Sequence, residues 1–544
     1  MIILGITHPI SWNSAACILV DGQMVAMAEE ERFNRIKHSP RIPPRKAMAF
    51  CLEKANVNKN DVDYVAIGWD RAWQAALGNL ETDTFMSSLN QTAQWLRRGM
   101  TYDHQLPLDE YPKKKIIFVN HHLSHAASAF YPSGFEEANI LSLDGSGGSE
   151  SGILAVGRGT DMEIFHKIGN RGSWGLAYEL FTDALGFRRH SGEGKVMGLA
   201  AYGTPDPNGL PFIDWDEPIP KIIPKQRQQF LANLTPRKKH EPLTTFHKNL
   251  AATLQDSLER AGMRMVEWLY EKTGLRQLCL TGGVALNCSM NGKLALLSCV
   301  DKVFIQPAAH DAGTALGAAL IVHVDKMGER PSWQMKHAYW GAEYTNDEIA
   351  QALSNYSNIR FHMSNDIYKE TSELIESGKI VGWFQGRFEL GPRALGNRSI
   401  LANPSLPDMK DKINNEVKHR EPWRPFAPSV LEEEIARYVS PIMESPYMIL
   451  AFDTKSDKKS ELKSAIHVDN TCRPQTVSKT TNLRYWQLIK QFEKRTGIPA
   501  ILNTSFNVDG QPIVNTPQEA IDTFLHCGMD NLAIGDYLVW KKEG

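Results

Sequence analysis

Apolar and polar positions alternate from the first residues onward. IILGIT (2–7), AACILV (15–20) and QMVAMA (23–28) read as strands, and DGQ makes the tight turn between the second and third. EEERFNRIKH follows, dense in both signs. Its plain reading is a solvated helix start; the alternative has Glu31, Arg32, Lys37 and His38 facing a cleft. Residues 44–55 fit an amphipathic helix, DVDYVAIGWD returns to strand, and IIFVN (116–120) is a further strand. Between the last two, residues 71–115 are rich in Gln, Arg and Trp and read as an insertion.

The chain then repeats itself. NILSLDGSGGSESGILAVGRGTDMEIFHKI copies the opening order of strand, small-residue turn, strand, glycine turn and strand. Two such units, each followed by helices, imply duplicated halves around a cleft. The fold class expected is α/β, of the actin, sugar-kinase and chaperone-ATPase type, with ATP lying between the halves. Residues 1–335 are assigned to this domain, 336–364 to a bridging segment and 365–544 to a second domain.

Candidate chemistry clusters around residues 120–151. His121 and His125 stand four apart in a helical segment, so their imidazoles share one face. The strand that follows ends in Asp144 and a glycine-rich turn, a common place to hold a metal–phosphate group. Taken singly, the histidine pair also fits a structural role and DGSGG also fits a hairpin. FIQPAAHDAGTALGAAL (304–320) adds Asp311 ahead of a small-residue helix, and closure of the halves brings it to His121, His125 and Asp144. Two imidazoles and two carboxylates suit Fe(II), Mn(II) or Zn(II). SGEGKVMGLAAYG places Lys195 in a glycine loop. LCLTGGVALNCSMNGKL offers Gly282, Gly283 and Asn287 as a nest for a nucleotide phosphate or ribose.

The second domain gathers arginines among breakers. QGRFELGPRALGNRS carries Arg387, Glu389, Arg393 and Arg398, and VKHREPWRPFAPSV carries Lys418, Arg420 and Arg424. TCRPQTV and ILNTSFNVDGQPIV add Arg473, Gln475, Asn503, Ser505 and Asn507. Guanidinium forks suit phosphate and carboxylate oxygens, so an anion pocket is expected over a surface ion network.

Composition narrows the class. With 42% apolar and 22% charged residues in 544, the chain is neither disordered nor membrane-embedded. A net charge of -2 without a long basic block argues against nucleic acid as a partner. Seven scattered cysteines without a CxxC pair look like reduced thiols of a cytoplasmic protein. The start lacks the basic flank of a signal peptide, and the run AGTALGAALIV is too short to span a bilayer.

These motifs, in this order, resemble the carbamoyltransferase family that includes nodulation-factor and antibiotic O-carbamoyltransferases: DGQMVAMAEEERFNRIKH, HHLSHAASAFY, GEGKVMGLAAYG, LTGGVALNCSMNGKL, HDAGTALGAA, QGRFELGPRALGNRSILANP, HREPWRPFAPSV and LNTSFNVDGQPIV. The resemblance implies a first domain like the tRNA threonylcarbamoyl-transfer protein and a second, α+β domain like threonylcarbamoyl-adenylate synthase. It implies that carbamoyl phosphate and ATP, with magnesium, give carbamoyl-adenylate and pyrophosphate, and that the carbamoyl group then passes to a small-molecule hydroxyl, releasing AMP. By the same resemblance His121, His125, Asp144 and Asp311 match an iron-type ligand set. Arg393, Arg398, Lys418, Arg424, Arg473, Asn503 and Ser505 then lie in the carbamoyl phosphate and ATP motifs.

One departure stands out. The family reads His-Asp-Ser/Ala-Ala after its first strand, and that His helps activate the acceptor. Here Trp12 and Asn13 occupy those places, which puts them in the acceptor pocket, and His8 lies four residues early. His8 as the base, another cleft residue, or an acceptor needing little activation are the three ways out. A tRNA-modifying transferase and a small-metabolite kinase are the competing functions; the first lacks a basic patch and the second leaves the arginine-rich domain without a purpose.

Overall fold

The computed structural model describes residues 1–70, 106–109 and 111–542, so most of the expected insertion at 71–115 lies outside the described residues. Two compact units emerge: Met1–Asn34 with His38–Met335, and Lys336–Gly544, with which Arg35–Lys37 are grouped.

The first unit holds two five-stranded sheets. One is built from β1 (Ile2–Ile6), β2 (Ala15–Val20), β3 (Gln23–Glu29), β4 (Tyr64–Ile67) and β5 (Ile116–Phe118), in the order β3-β2-β1-β4-β5. The other uses β6 (Glu137–Gly147), β7 (Glu150–Arg158) and β8 (Asp161–Gly169). After a small ribbon of β9 (Ile213–Asp214) and β10 (Lys221–Ile222), it adds β11 (Gln277–Thr281) and β12 (Lys302–Ile305). Its order, β12-β11-β6-β7-β8, is the first sheet's read from the other edge. Directions match as well. In each sheet the first three strands form an antiparallel meander and the last two join the first strand in parallel.

Two helices meet between these sheets. His121–Phe130 packs on β6, β7 and β11, Ala312–Met327 packs on β1, β2 and β4, and the two helices pack on each other. The small-residue sequence of the second helix has a direct cause: a Cβ on Gly317 would stand 1.6 Å from the Ser124 carbonyl oxygen. Close approach of the helices is what brings Asp311, at the start of one, to the histidines of the other.

The EEERFNRIKH segment is not a solvated helix start. Its helix is only Glu31–Asn34, and Glu29, Glu30, Glu31 and Arg32 are all buried. Arg32 bridges Glu29 at 2.7 Å and Glu31 at 2.6 Å, which pairs the charges that burial would otherwise penalise.

In the second unit an eight-stranded mixed sheet runs β13-β22-β21-β14-β15-β20-β16-β19. Its strands are β13 (Ile359–Met363), β14 (Val381–Phe384), β15 (Arg398–Ala402), β16 (Ala427–Leu431), β19 (Gln475–Val477), β20 (Ala500–Ser505), β21 (Asn531–Ile534) and β22 (Tyr537–Lys541). Between them β17 (Phe452–Asp453) and β18 (Thr471–Cys472) pair alone. The strand period of two splits neighbours between two cores. Phe384, Ile400 and Leu502 pack on one side with Phe506 and Phe524, while Trp383, Leu401 and Ile501 pack on the other with Tyr485 and Phe492. Residues 336–364, expected as a bridge, carry the helix Asn346–Ser354 and β13, whose Ile349, Leu353 and Ile359 are buried in the first of these cores. Among the described residues no helix is long and apolar enough to cross a membrane, and all seven cysteines are buried free thiols.

Candidate metal centre and cation cluster

In the first unit His121, His125, Asp144 and Asp311 come together, with one possible ligand atom from each lying within 4.8 Å of all the others. His121 Nε2 is 3.3 Å and His125 Nε2 is 3.4 Å from Asp144 Oδ2; Asp311 Oδ1 is 3.8 and 3.9 Å from the same nitrogens. The Gly68 carbonyl oxygen, 3.2 Å from His121 Nδ1, accepts that nitrogen's proton and turns the Nε2 lone pair to the centre. Gly283 N–H donates to Asp144 Oδ1 at 3.1 Å. Gly282 holds that turn at φ 82, where a Cβ would meet Leu143 O at 2.2 Å, so the Gly-Gly pair serves to press the backbone onto Asp144.

The electrostatics of the cluster suit a cation. Burial pushes His125 down to about 4, and neither of its buried ring nitrogens has a hydrogen-bond partner. Burial and the Asp144 charge push Asp311 up to about 7. Burial raises Asp144, but the His121 and His125 imidazoles beside it outweigh that and hold it well below the carboxylate range. Two carboxylates and two imidazoles in a dry space, one with an orphaned nitrogen, fit a divalent ion.

The neighbouring predicted residues fall in distinct places. Trp12 donates its backbone N–H to Asp311 Oδ2 at 2.6 Å, and Asn13 Nδ2 lies 3.0 Å from His38 Nδ1. His8 is buried; its Nδ1 accepts Ile10 N–H at 3.2 Å, and its ring packs on Trp69, which in turn stands 4.3 Å from the His121 ring. Lys195 lies half-buried on the Glu193–Ala200 helix. Asn287 caps Cys288–Ala295 and exchanges hydrogen bonds with Gln255 at 2.8 and 2.9 Å, so its side chain is committed to the framework.

The second unit concentrates positive charge. Lys418, Arg420, Arg424 and Arg473 lie close enough for their charges to oppose one another. Burial, then the like charges, push Lys418 and Arg420 well down; burial also lowers Arg424, against the pull of Glu421 and Asp509. Those two acids are the near counter-charges, at 3.8 and 3.7 Å from Arg424. The Lys418 ammonium donates to Ser505 O and Oγ and to Asn507 O and Oδ1, which ties the LNTSFN loop beneath the cluster. Arg473 keeps a buried Nε without a partner, and Arg393 is half-buried in the loop before β15.

Arg398 and Asn503 depart from the expected pocket. Arg398 is fully buried against the Phe384 ring at 3.7 Å, and its guanidinium donates to the carbonyls of Gln385, Gly386, Asn397 and Ala342. Asn503 is bound to Ala394 O, Ser429 Oγ and Gln475 Oε1. Both are tied into the wall of the unit by these bonds, with the Arg398 Nε left as the one buried nitrogen of the pair without a partner.

Family models agree with this division. Residues 2–320 match the carbamoyltransferase N-terminus and residues 372–541 match the carbamoyltransferase C-terminus. The chain belongs to the carbamoyltransferase family. This carbamoyltransferase is 41% identical to nodulation protein NolNO of Sinorhizobium fredii over 97% of its own length and 79% of that protein's. It is 40% identical to nodulation protein NolO of Bradyrhizobium diazoefficiens, over 78% of this chain and 79% of that one. A 3'-hydroxymethylcephem-O-carbamoyltransferase of Amycolatopsis lactamdurans is 29% identical over 68% of this chain and 69% of that one.

Sequence reading missed the supports: the Gly68 carbonyl, the Gly283 amide and the aromatic Trp69. Backbone groups carry no residue-type signal, so nothing marks the first, and the Gly282–Gly283 turn reads in the sequence as a phosphate nest, with no sign of its amide bond to Asp144. It also missed Glu179 and His190, though His190 immediately precedes the SGEGK loop.

Proposed function

We propose that this enzyme carries a carbamoyl group from carbamoyl phosphate, using ATP and magnesium, to a hydroxyl of a small molecule. In the second unit carbamoyl phosphate, ATP and one water would give carbamoyl-adenylate, pyrophosphate and orthophosphate. In the first unit the acceptor oxygen would bond to the carbamoyl carbon as its bond to the adenylate oxygen breaks, releasing AMP. The observation that carries the reading is the cation cluster of buried Lys418 with half-buried Arg420, Arg424 and Arg473, in the unit matched by the family's C-terminal model. Two polyanions repel each other, and fixed guanidinium groups relieve that repulsion without reorganising. Arg393 and Ser505 belong to the same loops and are assigned to the same substrates.

The shared strand order of the two sheets supports duplicated halves of the actin and sugar-kinase type, and the mixed sheet of the second unit supports an adenylate-forming α+β domain. Lys195 and the Gly282–Gly283 turn are assigned to the adenylate. His121, His125, Asp144 and Asp311 would hold iron, with manganese or zinc as alternatives on the same donors. A bound ion supplies Lewis acidity toward the carbamoyl carbonyl or the adenylate phosphate. The name of the Amycolatopsis relative speaks for a hydroxyl acceptor.

The test is metal-loaded protein with carbamoyl phosphate, MgATP and a panel of alcohols, read for pyrophosphate, AMP and a mass gain of one carbamoyl group. ADP release without pyrophosphate overturns the reading.

A further inference from the structure

Trp12 stands where the family places a basic histidine, and an indole N–H has no basic site. The structure puts another imidazole against it. The His190 ring stacks on Trp12 at 4.0 Å between centroids and 27° between planes. Trp12 is itself bonded through its backbone to Asp311, so one residue separates His190 from the metal centre. Glu179 Oε1 lies 3.1 Å from His190 Nδ1. The same oxygen is 3.0 Å from where a Cβ on Gly145 would sit, so the carboxylate rests against the residue next to Asp144. Two elements therefore hold this pair beside the centre: Glu179 from the helix Trp174–Ala184 and His190 from the loop before Glu193–Ala200.

The loop holds His190 in an unusual conformation. Its φ is 61, in the left-handed region that non-glycine residues seldom occupy, and its backbone N–H is fixed by Glu193 Oε1 at 2.7 Å. Its side chain is 36% exposed, whereas His8 is 2% exposed and has its Nδ1 engaged by Ile10 N–H. Burial works against the His190 imidazolium, but Glu179 outweighs it and the pKa is raised, which makes the ring a better proton acceptor.

We propose that His190, oriented by Glu179 and stacked on Trp12, is the general base that deprotonates the acceptor hydroxyl. The inference rests on the carbamoyl-adenylate reading above. Nδ1 keeps its proton toward Glu179, and Nε2 takes the hydroxyl proton as the acceptor oxygen bonds to the carbamoyl carbon. The C–O bond to AMP breaks, AMP leaves with the electron pair, and Nε2 then gives its proton to water. Glu179 is a positioning residue: it fixes the tautomer and steadies the imidazolium, the role a carboxylate plays behind a catalytic histidine in hydrolytic triads. Trp12 holds the ring plane, which also means that an acceptor cannot stack on that face of the indole.

The experiment compares nucleophiles that do and do not need a base. Metal-loaded full-length enzyme is given carbamoyl phosphate and MgATP, with water and glycerol as hydroxyl acceptors, or with hydroxylamine, whose free amine traps the adenylate as hydroxyurea. His190→Ala is expected to cut AMP release to water and glycerol by about 10²-fold or more while hydroxyurea formation stays within about twofold. Glu179→Gln is expected to show the same selectivity with a smaller loss, and added imidazole to restore part of the His190→Ala rate. His190→Gln, which keeps a polar side chain of similar reach, repeats the comparison if the alanine variant is unstable. Equal losses with all nucleophiles make His190 structural and overturn the proposal, and so does an unchanged rate with the hydroxyl acceptors. If wild-type enzyme forms neither pyrophosphate nor hydroxyurea, the adenylate reading fails first, and the base loses the reaction it serves.

Discussion

In the first unit two imidazoles face two carboxylates; in the second, four cations face two acids set at the edge. The first cluster is buried and the second half-buried around Lys418, and they respond to lost water in opposite ways. The mixed set shares protons among its members: Asp144 is held down, Asp311 is pushed up to about 7 and His125 falls to about 4. Such a set is balanced when a dication replaces the shared protons. In the cationic set the like charges of Lys418, Arg420 and Arg424 oppose one another, and Glu421 and Asp509 offset them only in part. This is the set proposed to take an anion from outside. Burial alone does not tell which partner a polar cluster is built for; the sign of the strain among its members does.

The largest expected effect breaks the mixed set. His121→Ala with His125→Ala removes both nitrogen ligands, so metal content should fall to background and carbamoyl transfer should be lost. Pyrophosphate formation, assigned to the other unit, should continue. Elemental analysis of protein purified without chelator decides it, and full metal content in the double variant rejects the site.

The next prediction strips one cation from the other set. Arg424→Ala or Arg473→Ala should lower carbamoyl-phosphate-dependent pyrophosphate formation about ten- to a hundredfold, the worth of a charge-assisted bond of roughly 1.5–3 kcal/mol. Arg→Lys should restore little, since an ammonium offers no planar fork. Unchanged turnover in both alanine variants would return these arginines to a surface network.

A smaller change tests the support behind a ligand. A Cβ on Gly283 would approach Asp144 Oδ1 to 2.8 Å, so Gly283→Ala should displace the carboxylate while leaving all four ligands in the chain. Metal affinity should fall about 10–100-fold, the usual consequence of disturbing the groups that orient a ligand. Competition with a chromophoric chelator measures it, and wild-type affinity would mean the turn does not set Asp144.

These contrasts also show what could be read from the chain. The strands of the first sheet and the copied pattern at 139–168 were legible because strand alternation and glycine turns are local signals. The gathering of His121, His125, Asp144 and Asp311 was legible only through the repeat, since Asp311 follows His121 by 190 positions and no spacing joins them. Charge density misled in EEERFNRIKH, where Glu29, Arg32 and Glu31 pair in the interior. Residue type cannot tell a buried ion network from a solvated face, because both are written in the same letters. The arginines posed the same problem in reverse: Arg398 and Arg424 stand in similar loops of Gly and Pro, but only the structure shows which one is tied into the wall.

That last pair supplies the finest test, one of stability instead of turnover. Burial lowers the Arg398 guanidinium to about 10, and it donates to four carbonyl oxygens. Arg398→Met keeps an apolar chain against Phe384 but removes the side-chain donor of the Gln385 and Gly386 carbonyls, while those of Asn397 and Ala342 keep the backbone N–H groups of Gln385 and Phe388; each buried unsatisfied group costs about 1–3 kcal/mol before relaxation. The melting transition of the second unit should therefore drop by several degrees. Arg424→Ala removes a charge that its neighbours oppose, and its own contacts are two acids beyond 3.5 Å. Its stability should change by no more than about 0.5 kcal/mol, the range of substitutions that break no buried contact. Calorimetry of the two variants, with wild type and without substrates, separates the roles. A large loss in Arg424→Ala together with a small one in Arg398→Met would exchange wall and ligand, and with them the boundary of the anion site.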